Sequence, residues 1–193
     1  MELNHQLSPQ LKHLRLSGIL ETLEARHRQA VESKWSYIEF LERLLQDEVE
    51  RRGQKQLSLR LRRATLTSTK TLETFDFGFN PSLNRQQILA LAAADYIREK
   101  RNVILCGPTG VGKSHLAQAL GHEACRRGYD VLWVNAYKLL QHLHGGRADD
   151  SLERRLKLYL RPDLLILDDF GLKPLQAPAP SDLYDVIKQR PTK

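Results

Sequence analysis

The sequence has few cysteines and no long apolar run, and these shortages exclude several classes of protein. Cys106 and Cys125 are its only cysteines, too few for a disulfide framework or a zinc site. We expect both to be small buried hydrophobic residues in a reducing cytosol. No apolar run approaches the roughly 20 residues of a membrane helix, and the first residues lack the pattern of a secretory signal. We therefore expect a cytoplasmic protein that does not contact membranes.

Acidic residues are missing from one stretch of the chain. The formal net charge is +7, and the stretch from Arg51 to Lys70 holds seven basic residues and no acidic one. A local excess of this kind favours an anionic polymer as partner, although a solvated helix face would have the same composition. Both interpretations stay open on charge alone. The residues predicted to contact nucleic acid are Arg51, Arg52, Lys55, Arg60, Arg62 and Arg63.

The 193 residues, of which 41% are hydrophobic and 27% charged, fit one ordinary soluble domain with a smaller appendage. Residues 1–70 are predicted to be a helical N-terminal region that binds DNA or a partner. Its leucines recur at three- and four-residue steps, which indicates an apolar helix face. A second helix is predicted after a capping box of Ser36 and Glu39, and the basic stretch is predicted to be a third, short helix.

Residues 71–83 break the helical rhythm with threonines, a glycine and a proline, and are predicted to be a linker. Residues 84–193 then alternate between strand and helix patterns over short connections. Such alternation is typical of an α/β fold, a parallel sheet with helices on both faces. The predicted elements are a helix over 85–100, a strand over 103–106, a helix over 114–127 that stops at Gly128, a strand over 129–135, a helix over 136–144 ended by Gly145–Gly146, a helix over 151–160, a strand over 164–167 and a helix from about 181.

The clearest motif lies between the first predicted strand and its helix. Residues 107–114 fit the phosphate-loop pattern G-x-x-x-x-G-K-[ST] in full. Backbone N–H groups in such a loop point at phosphate oxygens, and glycine tolerates the torsions that this requires. The following helix adds the positive end of its dipole. The predicted nucleotide-binding residues are Gly107, Pro108, Thr109, Gly110, Val111, Gly112, Lys113, Ser114 and His115.

Two of these residues have particular chemistry. Lys113 supplies a full positive charge for the β- and γ-phosphates, and we predict a catalytic role for it. The Ser114 hydroxyl can bind Mg²⁺. The loop therefore predicts a site for ATP with Mg²⁺.

An acidic pair follows the buried strand pattern Leu-Leu-Ile-Leu. Asp168 is placed to hold Mg²⁺, and Asp169 lies where many such enzymes carry a glutamate that activates the attacking water. A solvated turn after a strand would have the same composition. The lysine that lies 55 residues earlier favours the metal-binding and catalytic interpretation.

Other polar residues allow two interpretations each. Asn135 ends a predicted strand and could face the γ-phosphate or cap the next helix. Arg147 could touch nucleic acid or a neighbouring subunit, with a solvated loop as the simpler alternative. The histidines lack the spacing of a metal site, and Trp35 and Trp133 are expected in the core.

Three phrases of the sequence together resemble a known family: KTLETFDFGFNPSLNRQQI, GPTGVGKSHLAQALGHEACRRGYDV and DLLILDDFGLKPL. They resemble the IstB-type ATP-binding proteins of bacterial insertion sequences, which belong to the AAA+ class of P-loop NTPases and are related to the helicase loader DnaC and the initiator DnaA. The resemblance covers nearly the whole chain. It implies a protein that binds ATP with Mg²⁺, forms homo-oligomers on double-stranded DNA and works with a transposase.

The chain departs from the family pattern near residue 190. Family members continue into a further strand with a sensor residue, an arginine finger and a helical lid. The resemblance therefore implies a fold that is incomplete at the C-terminus, and ATP hydrolysis by this chain stays open. Three functions follow as hypotheses: a transposition helper, a DnaC-like helicase loader, and a non-catalytic remnant that binds only nucleotide or partners.

Overall fold

The computed structural model describes residues 3–81, 83–172 and 174–190, and it divides into two compact units, Met1–Ser58 and Leu59–Lys193. The domain limits proposed above stay a prediction, and residues 191–193, part of the departure from the family pattern, lie outside the described residues. The elements in chain order are α1 (Leu3–His13), α2 (Ser17–Ser33), α3 (Tyr37–Ala64), α4 (Arg85–Ala92), α5 (Asp95–Arg98), α6 (Lys113–Arg126), β1 (Val131–Asn135), α7 (Ala136–Ala148), α8 (Leu152–Leu160), β2 (Leu164–Asp168) and α9 (Ala179–Gln189).

The first unit is helical, as predicted. Its early leucines are divided between α1 and α2, because the chain turns at Arg15, where φ is 57°. The core of this unit consists of Ile19, Leu23 and Leu44, which the apolar side chains of the helices surround. Leu11, Leu16 and Leu23 of the leucine repeat lie in or against this core, whereas Leu14 is 61% exposed. The periodicity therefore predicted the buried face in part, and it did not predict the turn that interrupts the helix.

Gly18 allows α2 to approach α3 closely. A Cβ atom at Gly18 would lie 2.8 Å from the Glu48 Cα atom, and the Gly18 amide donates to Glu48 Oε2 at 2.6 Å. Burial alone would raise the pKa of the Glu48 carboxyl. Hydrogen bonds from Arg52 and from the amides of Gly18 and Ile19 outweigh burial and lower this pKa.

The prediction of a separate basic helix is wrong, because α3 continues unbroken from Tyr37 to Ala64. Gly53 lies inside α3, and a Cβ atom added there would contact nothing outside the helix backbone. A single exposed glycine within a helix costs only about 1 kcal/mol relative to alanine, so it does not end the helix. One half of the predicted capping box is confirmed, since Ser36 Oγ accepts from the Glu39 amide at 3.2 Å.

The sheet of the second unit holds two described strands, β1 and β2, which pair in parallel with Asn135 opposite Asp168. One face of the sheet packs on α7, α8 and α9. On the other face Ile166 reaches α6, where a Cβ at Gly121 would lie 2.9 Å from its Cδ1 atom. Helices therefore cover both faces, as the α/β prediction required. The apolar cluster on the first face comprises Leu132, Val134, Leu139, Leu140, Leu143, Tyr159, Leu165, Leu167, Leu183 and Val186.

The prediction of a strand over 103–106 is wrong in this structure. These residues carry no strand, and Ile104 is 81% exposed. Leu105 alone of the four is partly buried, against the cluster around Ile88 and Leu116. Composition favoured a strand here, but a strand also requires a neighbour to pair with, and none lies beside this segment among the described residues. Cys106 is exposed as a result, contrary to expectation, whereas Cys125 is buried as expected.

Gly145 and Gly146 do not end a helix as predicted, because α7 runs through them to Ala148. A Cβ at Gly146 would lie 2.9 Å from the Leu152 Cα atom, and one at Gly145 would lie 2.7 Å from the Arg155 guanidinium. The pair therefore allows α8 and its arginine to pack closely against α7.

Two further element predictions differ from the structure. The helix predicted over 85–100 is divided into α4 and α5 at Ala94, where φ is 61°. The last helix begins at Ala179, two residues before the predicted Ser181. Among the described helices, none is long and apolar enough to cross a membrane.

Candidate nucleotide-binding site

The glycine loop of residues 107–112 leads directly into α6, which begins at Lys113. Gly110 and Gly112 have φ values of 85° and 89°, in the left-handed region that favours glycine. Gly112 is the residue that caps α6, so the first free N–H groups of a 14-residue helix follow the loop. This arrangement provides the anion-binding geometry that the motif predicts.

The Lys113 ammonium group hydrogen-bonds to the main chain of its own loop. Lys113 Nζ donates to the Pro108 carbonyl at 2.6 Å, and it makes no ion pair with a carboxylate of the described residues. Its positive charge is therefore not neutralised, and it lies on the loop where the phosphate groups are predicted to bind.

Ser114 and Asp168 meet although 54 positions separate them in the sequence. Ser114 Oγ donates to Asp168 Oδ1 at 2.8 Å, and the Asp169 amide donates to the same oxygen at 3.0 Å. Asp168 ends β2, and α6 packs against the sheet that holds β2. The hydroxyl and carboxylate predicted to hold Mg²⁺ are thus adjacent in space.

Asp169 is held by Asn135. Asn135 Nδ2 donates to Asp169 Oδ2 at 2.8 Å, while Asn135 Oδ1 accepts from the Lys138 amide at 3.2 Å and caps α7. Sequence reasoning weighed a phosphate contact against a helix cap for Asn135. The structure shows the cap, and it adds a contact with Asp169 that sequence reasoning missed. The contact follows from the parallel register, which places the ends of both strands side by side and which the sequence does not show.

The predicted linker contains an aromatic residue that packs on the loop. A Cβ at Gly112 would lie 3.1 Å from the Phe75 ring, which also meets the His115 ring edge-on at 5.2 Å between centroids. His115 Nε2 lies 3.1 Å from the Thr71 carbonyl oxygen. Phe75 was not predicted from the sequence as part of the site. The alternating phenylalanines of FDFGF could have indicated it, because a linker exposed to solvent does not require aromatic residues.

The basic residues predicted to bind nucleic acid differ in their surroundings. Arg51 pairs with Glu21 at 2.8 Å, and Arg52 pairs with Glu48 at 2.7 Å. Arg60 is half-buried near Gly128. The exposed members of the set that make no ion pair with a described residue are Lys55, Arg62 and Arg63.

Arg147 and the histidines have partners within the protein. Arg147 forms an ion pair with the buried Asp182, so it is neither in a loop nor freely solvated. His122 Nε2 lies 3.0 Å from the Thr67 carbonyl, and His142 Nδ1 lies 2.7 Å from the Tyr159 hydroxyl. Over the described ranges, no group of three or more His, Cys, Asp or Glu residues could hold a metal ion.

The parallel strands, the helices on both faces and the glycine loop at the start of α6 define the P-loop class of α/β folds. The comparisons with known proteins specify it further. The chain matches the model of the family described as IstB-like ATP binding protein over residues 9–193. The chain belongs to this family.

Several relatives are proteins of bacterial insertion sequences. A candidate ATP-binding protein in an insertion sequence of Mycobacterium tuberculosis is 43% identical over 180 residues, which are 93% of this chain and 72% of that protein. The candidate ATP-binding protein of insertion sequence IS1162 from Pseudomonas fluorescens is 39% identical, over 98% of this chain and 82% of the relative. That of insertion sequence IS21 from Pseudomonas aeruginosa is 36% identical, over 96% and 70%.

Proposed function

We propose that the chain binds ATP together with Mg²⁺ at the loop and serves as a helper of DNA transposition. The observation that carries the nucleotide part is the 2.8 Å bond between Ser114 Oγ and Asp168 Oδ1, beside a glycine loop that caps a helix. The residues fit the ligand, since free helix N–H groups and an ammonium suit phosphates, and a hydroxyl and a carboxylate suit Mg²⁺.

The protein groups have distinct tasks in this proposal. The N–H groups at the start of α6 bind and orient the phosphates, and Lys113 places a positive charge where negative charge gathers. Ser114 and Asp168 supply oxygen ligands for the ion. Bound ATP–Mg²⁺ contributes a phosphoanhydride bond whose hydrolysis can drive a change in the protein.

Asp169 is the proposed catalytic base, and Asn135 is its positioning residue. The hydrogen bond from Asn135 Nδ2 holds the Asp169 carboxylate at the ends of both strands. We therefore assign to Asn135 control over the direction of the Asp169 carboxylate.

The proposed biological role rests on the family and on the names of its members. As a transposition helper the chain would bind double-stranded DNA, form homo-oligomers and act with a transposase. For the DNA contacts we propose Lys55, Arg62 and Arg63, because they are exposed and unpaired among the described residues, whereas Arg51 and Arg52 already pair with glutamates.

Nucleotide binding can be tested by calorimetric titration with a non-hydrolysable ATP analogue and Mg²⁺. Lys113→Ala removes a charge-assisted interaction of about 1.5–3 kcal/mol, so we expect affinity to fall about 10- to 150-fold. Asp168→Asn should abolish the increase in affinity for the analogue that Mg²⁺ causes, and it should leave the affinity without metal nearly unchanged. The matched control is Arg154→Ala, an exposed cation on α8.

Circular dichroism of each variant separates loss of binding from loss of fold. If Lys113→Ala binds the analogue as tightly as the parent protein, the loop is not the nucleotide site. Dependence on Mg²⁺ that survives Asp168→Asn would reject the proposed metal ligand and leave the phosphate site standing.

DNA binding can be tested through its salt dependence. Each phosphate contact contributes about 0.9 to the slope of log affinity against log salt. We expect Arg62→Gln with Arg63→Gln to lower the slope by up to about 1.8, and Arg51→Gln to lower it less. An unchanged slope would show that these arginines are a solvated face, and a preference for single strands would favour the helicase loader.

A further inference from the structure

A cleft with a volume of about 710 Å³ lies within the unit Leu59–Lys193. All of β1 lines it, together with the end of α8 and the segment after α3. The nucleotide-binding loop does not line it. The cleft therefore calls for its own explanation.

The main chain of β1 presents an open edge to this cleft. In a parallel ladder, every second residue directs both its N–H and its C=O to the same neighbour. The Leu164 amide donates to the Asp130 carbonyl at 3.1 Å, so the residues of even number face β2. Val131, Trp133 and Asn135 therefore face away from it.

One group on this outer edge already has a partner. The Trp133 carbonyl accepts from Thr65 Oγ1 at 2.7 Å, which agrees with its position on the edge that faces away from β2. The amides of Val131 and Trp133 receive no acceptor from the described residues. Val131 is only 4% exposed, so the Trp133 amide is the more accessible of the two. Free N–H groups on a strand edge form a template for another strand.

The rest of the cleft is apolar at its base and basic at its rim. Leu158 lines it with 56% of its surface exposed, beside the buried Tyr159. Lys138 and Arg161 also line it, and both are exposed and form no ion pair with a carboxylate of the described residues. Arg63, proposed above as a DNA contact, lies at the same cleft. Asp130 is the acidic residue among the lining side chains. The rim therefore carries an excess of positive charge.

We infer that this cleft binds an extended acidic segment of a partner protein, which adds a strand to the free edge of β1. Side chains of a strand alternate between its two faces, so a segment with alternating apolar and acidic residues suits the cleft. The apolar residues cover Leu158, and the carboxylates meet the basic rim. A nucleic acid would satisfy the rim but leave the apolar base and the strand amides unpaired.

The test uses the full chain with Trp35→Phe, so that the fluorescence of Trp133 alone is observed. The probe is a panel of blocked peptides of about eight residues, the length of an ordinary strand, in which Leu, Ile, Val or Phe alternate with Glu or Asp. One comparison panel replaces the acids by lysine, and another carries N-methyl groups at alternate residues, which removes strand hydrogen bonds. A duplex oligonucleotide is titrated in parallel.

We expect acidic peptides to bind saturably and the two comparison panels to bind less. Lys138→Glu with Arg161→Glu should weaken acidic peptides about 5- to 25-fold, since an exposed ion pair contributes up to about 1 kcal/mol. Arg154→Glu, which reverses an exposed charge on α8 outside the cleft lining, should leave binding unchanged.

Four results would overturn the inference, the last of them given by the N-methylated peptides. The first is that no acidic peptide binds, and the second is that the double variant binds peptides as tightly as the parent. The third is that the oligonucleotide alone binds and loses affinity in the double variant, which would make the rim a nucleic-acid surface. N-methylated peptides that bind equally well would exclude strand addition.

Discussion

Two apolar tetrapeptides precede the two halves of the candidate site, and only one of them is a strand. Residues 103–106 lead to the lysine loop, and residues 164–167 lead to Asp168. Both have the composition of a buried strand. The second pairs along its length with β1, whereas Ile104 of the first is 81% exposed. Composition therefore indicates that a segment can form a strand, and the neighbour decides whether it does.

The two halves are consequently held by different interactions. A parallel ladder holds the carboxylate half. The lysine half has no strand partner among the described residues, and Leu105 packs against the cluster around Ile88 and Leu116 of α6. Side chains of α6 also bind the main chain of the stretch that follows α3. Gln118 Oε1 accepts from the Thr67 amide at 2.9 Å, and His122 lies 3.0 Å from the Thr67 carbonyl. Apolar packing and side-chain contacts of α6 therefore organise this half, without strand pairing among the described residues.

The largest expected effect distinguishes the two tetrapeptides directly. Ile166→Asp places a charge between the sheet and α6, so we expect the free energy of unfolding to fall by about 2–4 kcal/mol. Ile104→Asp should change it by less than about 0.5 kcal/mol, because this side chain is exposed. Urea unfolding followed by circular dichroism measures both. Equal losses would show that another part of the assembly covers Ile104 in solution.

A smaller effect concerns the contacts that hold the lysine half. Gln118 is 1% exposed, and Gln118→Leu keeps its size but leaves the Thr67 amide without its acceptor. Thr67 is exposed, so water can reach its amide, and we expect a loss of about 0.5–1.5 kcal/mol, the net contribution of one hydrogen bond.

Hydrogen exchange at the Thr67 amide gives the local readout for this variant, and we expect exchange to accelerate in Gln118→Leu. The control is Gln86→Leu on the exposed side of α4, which should alter neither stability nor this amide. Unchanged exchange would mean that the bond to Gln118 does not hold the segment.

The local features of the site were predictable because they lie in short motifs. The glycine loop, the start of α6 and the acidic end of β2 each depend on neighbouring residues. The contact between Ser114 and Asp168 was anticipated through the known behaviour of the loop motif. The helix bounds near Gly128 and Pro162 followed from residues that end helices.

The errors arose where distant residues decide the structure. Gly145–Gly146 signalled a break, but close packing of Leu152 explains the pair. The change to a basic composition after residue 50 suggested a new helix, although a single helix can contain an apolar, mixed-charge part and a basic part. The bond between Asn135 and Asp169 depends on strand register, which no local pattern encodes. Packing and register therefore marked the limit of inference from sequence.

The smallest expected effect lies on the surface of the lysine half. Arg126 donates to Glu73 at 2.6 Å, and this hydrogen bond lowers the pKa of the Glu73 carboxyl from 4.5 to about 2. A carboxyl group whose pKa is lower in the folded protein than in the unfolded chain stabilises the fold at pH values above its pKa in the unfolded chain. The contribution is therefore complete above pH 4.5 and is lost as the pH falls towards about 2.

Arg126→Gln tests this assignment by removing the charge that lowers the pKa. In a titration followed by carbon NMR, we expect the pKa of Glu73 to return towards 4.5 in this variant. Arg98→Gln, which breaks a different exposed pair, should leave the Glu73 titration unchanged. If Glu73 titrates near 4.5 in the parent protein, the contact does not persist in solution. Residues 67–73 would then be held to α6 without this ion pair, by the contacts of Thr67 with Gln118 and His122.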